Sequence, residues 1–153
     1  AHYNLGIALA SDNQFNEAEK AFKSTLSMNP GDLDAEKRLA EMLTAQHKQA
    51  EALQHYERLI QKLPKDATIL YNAGVLFLQN NRVDDAIEML NRSSRENPMD
   101  VETYLTLAMS YKTKGNLIEA QKSYQHILYI NPSHEIAQAQ IEILNQHLKL
   151  SRP

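Results

Sequence analysis

Residues 65–98 read KDATILYNAGVLFLQNNRVDDAIEMLNRSSRENP, and a shift of 34 residues in either direction lands on the same plan. Pro98 has counterparts in Pro30, Pro64 and Pro132, and Pro153 is the one other proline. Ala86 is matched by Ala18, Ala52 and Ala120, and Leu90 by Phe22, Tyr56 and Tyr124. Self-similarity at this period marks a stack of small copies, not a chain collapsed around one globular core.

Within the quoted stretch Ala73, Gly74 and Phe77 form an apolar stripe at helical spacing. The same positions hold Leu5, Leu39 and Leu107, then Gly6, Ala40 and Ala108, then Leu9, Leu43 and Tyr111. In the second half, Val83, Ala86, Leu90 and Ser94 repeat the pattern. Phe15, Gln49 and Leu117 match Val83, and Leu26, Ile60 and Leu128 match Ser94. Two amphipathic helices per unit follow, joined by polar turns at Asn13, Gln46-His47, Asn80-Asn81 and Gly115-Asn116. Small residues at facing positions let paired helices approach closely. Each proline ends a second helix and drives the residue before it out of helical geometry. Asp32, Asp66 and Asp100 are placed to cap the helix that follows, and after Pro132 that role falls to Ser133. Helices this short are marginal alone, so stacking must stabilise them.

Composition is that of an ordinary soluble chain: 153 residues, 42% hydrophobic, 23% charged, net charge −3, pI near 6.1. That balance gives no footprint for nucleic acid. No apolar run is long enough to span a membrane, so no direct insertion is expected. With zero cysteines the chain has neither disulfides nor thiolate sites. Lack of cysteine suits cytoplasm and periplasm alike, and cytoplasmic placement is the expectation.

These residues resemble the tetratricopeptide repeat (TPR), whose 34-residue pattern runs leucine-glycine, tyrosine, alanine, aromatic, proline. The resemblance covers four repeats, 1–30, 31–64, 65–98 and 99–132, followed by a capping helix and short tail at 133–153. It implies an all-α fold, a right-handed superhelical solenoid of antiparallel helix pairs, with the first helices lining a concave groove. No tryptophan occurs, and the second repeat has Ala40 and Leu43 where glycine and tyrosine are commoner. Ala1 falls inside the first helix by this alignment, so a fragment of a larger protein is expected.

Repeat positions that vary are free to carry recognition. By resemblance the inner face carries Tyr3, Ile7 and Ala10, then Lys37, Glu41 and Thr44, then Tyr71, Val75 and Leu78, then Leu105, Met109 and Lys112. The capping helix adds Ala139 and Ile143. One reading is an apolar groove centred on Tyr71, Val75, Leu78, Leu105 and Met109 and extended by Ile143. The other is that these side chains pack against neighbouring first helices. A polar series, Asn4, Arg38, Asn72, Thr106 and Gln140, runs along the same edge, either as a solvated rim or as an imperfect version of the asparagine ladder with which O-GlcNAc transferase repeats grip a peptide backbone. The clamp by which some TPR proteins hold a carboxy-terminal acidic tail fits in no register, because Glu41 and Glu102 stand where it needs other residues.

No catalytic constellation emerges. The six histidines are scattered without a helical zinc pair, the four glycines build no phosphate loop, and Asp84-Asp85 suits the start of a helix. The reading is a non-enzymatic scaffold without metal or cofactor, holding a peptide or amphipathic helix of a partner protein in its groove. Two alternatives stand beside it. One is a regulatory or substrate-presenting arm of a larger enzyme such as a glycosyltransferase. The other is a self-assembling adaptor that forms homo-oligomers through its repeat ends.

Overall fold

The computed structural model describes residues 1–150. Those residues form α1 (His2–Ser11), α2 (Phe15–Met28), α3 (Leu33–Ala45), α4 (Gln49–Lys62), α5 (Ala67–Gln79), α6 (Val83–Glu96), α7 (Val101–Thr113), α8 (Leu117–Ile130) and α9 (Glu135–Leu150). Each helix packs on the next in sequence, and α5 also touches α3 and α7, so hairpins stack into an all-α solenoid with the odd-numbered helices in one row. Residues 151–153, the expected tail, lie outside the described residues.

The alanine column is fully buried at Ala18, Ala52, Ala86 and Ala120, and Phe22, Tyr56, Leu90 and Tyr124 are buried beside it. The third column of the second helices differs from expectation. Thr25, Leu59, Ser93 and Ile127 are the buried residues, whereas Leu26, Ile60, Ser94 and Leu128, one place later, are half-buried. A spacing of four and then three follows a straight helix more closely than four and four. In the first helices Leu39, Ala73 and Leu107 are buried, while their counterpart Leu5 is 51% exposed. The difference is packing: α3, α5 and α7 lie against a preceding second helix, and among the described residues α1 packs only on the α2 side.

The loops follow the period too. Asp32, Asp66 and Asp100 each accept the backbone N–H three residues on, closing the start of α3, α5 and α7. Ser133 does not cap α9. Its hydroxyl donates to the Asn131 side chain, and Nδ1 of His134 accepts from the Ala137 N–H instead. Every hairpin turn has one left-handed residue at a fixed place, namely Asn13, His47, Asn81 and Gly115, with φ of 58°, 58°, 57° and 77°.

The apolar interior comes in two parts, one across α1–α6 and one across α7–α9. Between them sits a buried hydroxyl pair. Ser93 Oγ donates to the Ala67 carbonyl at 2.8 Å and lies 3.5 Å from Thr103 Oγ1, which donates to Asp100. Every buried side-chain nitrogen and oxygen among the described residues has a partner.

Candidate functional site

The inner row consists of α1, α3, α5, α7 and α9, and one face of it changes character along its length. At the α1 end the side chains are already engaged. Tyr3, Ile7 and Ala10 pack on the core, and the Tyr3 ring meets Phe22 edge-on at 5.8 Å. Asn4 is exposed. On α3, Arg38 donates to Glu41 at 2.9 Å, and this carboxylate, with the Tyr3 hydroxyl behind it, pushes the guanidinium pKa up. Lys37 lies 3.4 Å from Asp66.

Between α3 and α5 the face opens into a hollow of about 320 Å³, lined by Glu41, Thr44, Ala45, Tyr56, Tyr71, Asn72 and Val75. It brings together three of the expected groove residues, Tyr71, Asn72 and Val75. The Tyr56 hydroxyl lies at its floor beside Thr44 and Asn72. Burial raises its pKa to about 12, and the Glu41 charge pushes the same way. On the other side of Tyr71 lies a second hollow of about 290 Å³, bounded by Thr68, Ser93, Asn97, Asp100 and Glu102.

Towards α9 the face becomes apolar and open. Leu78 and Leu105 are half-buried against the two cores. Met109 is 63% exposed, and Ile143, its equivalent one repeat on, is 45% exposed. Ile136, in the register of Glu102 and Thr68, is exposed as well. The polar series is largely spent: Thr106 donates to the Glu102 carbonyl at 2.8 Å, and Gln140 accepts from Lys112 at 2.6 Å. Tyr56, placed by the repeat period in the buried column, also lines the first hollow, and Ile136 is an exposed apolar residue outside the expected groove set. Glu41 and Glu102, the two residues that exclude the acid-tail clamp, line the two hollows beside Tyr71. Among the described residues no group of His, Cys, Asp and Glu could hold a metal, and no helix is long and apolar enough to cross a membrane.

Three family models, each described as a tetratricopeptide repeat, match residues 3–67, 43–108 and 101–134. Among curated proteins the chain is 28% identical over 123 residues to the TPR repeat-containing protein YpiA of Bacillus subtilis, covering 79% of this chain and 29% of that one. It is 27% identical over 146 residues to human protein O-mannosyl-transferase TMTC1, covering 93% and 17% respectively. It is also 27% identical over 95 residues to a tomato protein titled probable UDP-N-acetylglucosamine–peptide N-acetylglucosaminyltransferase SPINDLY, covering 62% and 10%. The chain therefore spans less than a third of the length of these relatives. Among solved structures, MamA superposes with a TM-score of 0.89 at 19% identity over 97% of this chain and 81% of that one. YrrB, titled a TPR protein with an unusual peptide-binding site, superposes at 0.83 and 17% identity over 99% and 78%. At such identities the likeness carries the fold, a right-handed superhelical solenoid of helix pairs.

Proposed function

Because the chain belongs to the tetratricopeptide-repeat family, we propose that it is a protein-interaction scaffold that seats a peptide or helical segment of a partner against its inner row of helices. The supporting observation is the placement of Met109, Ile143 and Ile136, three large apolar side chains left open on adjacent helices of that row. Large apolar side chains left exposed along one face are the kind of surface that marks interaction sites. The expected groove residues Tyr71, Asn72, Val75, Leu78, Leu105, Thr106, Met109 and Ile143 belong to this surface, whereas Asn4 and Arg38 form its far, polar end. In this reading the four repeats and capping helix act as one unit and carry no catalytic step of their own.

A second reading is favoured by the relatives named as glycosyl- and mannosyl-transferases, of which this chain matches only a small share. There the same face presents a substrate polypeptide to a catalytic domain elsewhere in a longer protein. Both readings share one test: a photo-crosslinking amino acid placed at position 109, 143 or 129 of the full-length protein in its own cells. Tyr129 is 78% exposed but lies on α8, outside the inner row. Crosslinked polypeptide from 109 and 143 but not from 129 supports inner-face docking. Equal or stronger crosslinking from 129 contradicts it.

A further inference from the structure

The two hollows that flank Tyr71 share a chemical bias that the apolar end of the face lacks. Glu41 lines the first and Asp100 and Glu102 line the second, while no lysine, arginine or histidine lines either. Two nearby cations are directed elsewhere, Lys37 to Asp66 and Lys112 to Gln140, while Arg38 pairs with Glu41 itself from the rim of the first hollow. Exposed pairs such as Arg38–Glu41 are screened and readily exchanged. Among the described residues, Asp100 and Glu102 form no ion pair. Tyr71 is the wall between the hollows, an aromatic face to which a cation is attracted. Val75 and Ala45 offer apolar surface on which a long aliphatic stem can lie while its charged head reaches Glu41, the arrangement lysine and arginine favour.

From this charge complementarity we infer that the occupant of the inner face is a cationic amphipathic peptide, with lysine or arginine side chains entering the hollows on either side of Tyr71 and apolar side chains covering Met109 and Ile143. The inference rests on the inner face being the docking surface and adds the chemistry of its partner. It is the opposite preference from an acid-tail clamp, because the carboxylates belong to the scaffold.

The test uses three fluorescein-labelled amphipathic peptides with identical leucine positions and with lysine, glutamine or glutamate at the remaining sites, titrated at low salt against the chain. Fluorescence anisotropy should rank lysine above glutamine above glutamate, with about a tenfold tighter Kd for lysine than for glutamine. Glu41→Gln with Glu102→Gln should collapse the lysine and glutamine peptides to similar affinity, and Glu57→Gln on the outer helix α4 should leave the ranking intact. Met109→Ser with Ile143→Ser should weaken all three peptides together. A lysine preference that persists in the Glu41/Glu102 variant, or that Glu57→Gln removes, overturns the inference. If the glutamine peptide binds in a Met109-dependent way but lysine brings no gain, the partner chemistry is wrong and inner-face docking stands. If none of the three binds, both are overturned.

Discussion

Gly74 and Leu90 face each other across the α5–α6 hairpin so closely that a Cβ on the glycine would lie 2.8 Å from Leu90 Cγ. One repeat pair earlier, a Cβ on Gly6 would meet the Phe22 ring at 2.7 Å. Ala40 and Ala108 hold the equivalent place in the other hairpins, so the glycine is required by the partner side chain and not by the backbone. Gly74→Ala gains about 1 kcal/mol of helix propensity but overpacks the hairpin at about 1–3 kcal/mol, and a net loss of stability is expected. Against Leu90→Ala, where room exists, the same change should stabilise. A double-mutant cycle by urea unfolding reads the sign reversal directly, and additive effects would show that the contact is not the cause.

Glu19 ties two hairpins together and should make stability acid-sensitive. Its carboxylate is buried and accepts from Lys23, Lys48 and Gln46 at 2.6, 2.7 and 2.9 Å. Burial alone would raise its pKa, but these donors overrule it and bring the value to about 2 from an ordinary 4.5. A depressed folded value contributes stability that is complete above pH 4.5 and is lost as pH falls towards 2. Thermal unfolding of Glu19→Gln should be less stable near pH 7 and decline less steeply across that window. Parallel pH profiles for the two proteins would refute the assignment.

The left-handed turn position gives a graded series. Gly115 has open space around a would-be Cβ, so Gly115→Ala isolates the backbone cost of φ near 77°. A loss of about 1–2 kcal/mol is expected. Gly115→Asn should lose less, because asparagine tolerates this geometry and already occupies it at Asn13 and Asn81. Equal losses for the two variants would show that left-handed backbone is not what the position selects.

At α9 the cap is a histidine nitrogen where three earlier helices have an aspartate oxygen. His134→Asp should strengthen this helix start by about 1 kcal/mol, seen as slower hydrogen exchange at the first turn of α9. The reverse change, Asp100→Ala, should destabilise α7 by about 0.5–2 kcal/mol. Faster exchange in His134→Asp would indicate that the ring contributes packing which the cap alone does not replace.

Much of the architecture was legible because proline, alanine and aspartate each act locally. Proline ends a helix wherever it stands, and Asp32, Asp66 and Asp100 cap because their oxygen reaches three residues forward. Ser133 misled because a neighbouring acceptor, the Asn131 carboxamide, claims its hydroxyl. The Thr25–Leu59–Ser93–Ile127 column was hidden because threonine and serine read as polar, although tertiary hydrogen bonds let Ser93 be buried. The turn column was hidden because asparagine, histidine and glycine share a backbone conformation but no composition. For the candidate site, the repeat period reveals which face varies. It does not reveal which part of that face is filled, since Ile7 is half-buried against the core while Met109 and Ile143, in the same series, are open.

Exposed methionine and isoleucine methyls provide the decisive readout, because the chain carries its own controls. Met109 and Ile143 lie on the inner row, whereas Met28, Met99 and Ile118 are equally open elsewhere. With 13C-methyl labelling, titration of the lysine-bearing amphipathic peptide should shift the Met109 and Ile143 resonances while Met28, Met99 and Ile118 stay in place. Shifts at Met28, Met99 or Ile118 with Met109 and Ile143 unmoved would contradict docking on the inner face.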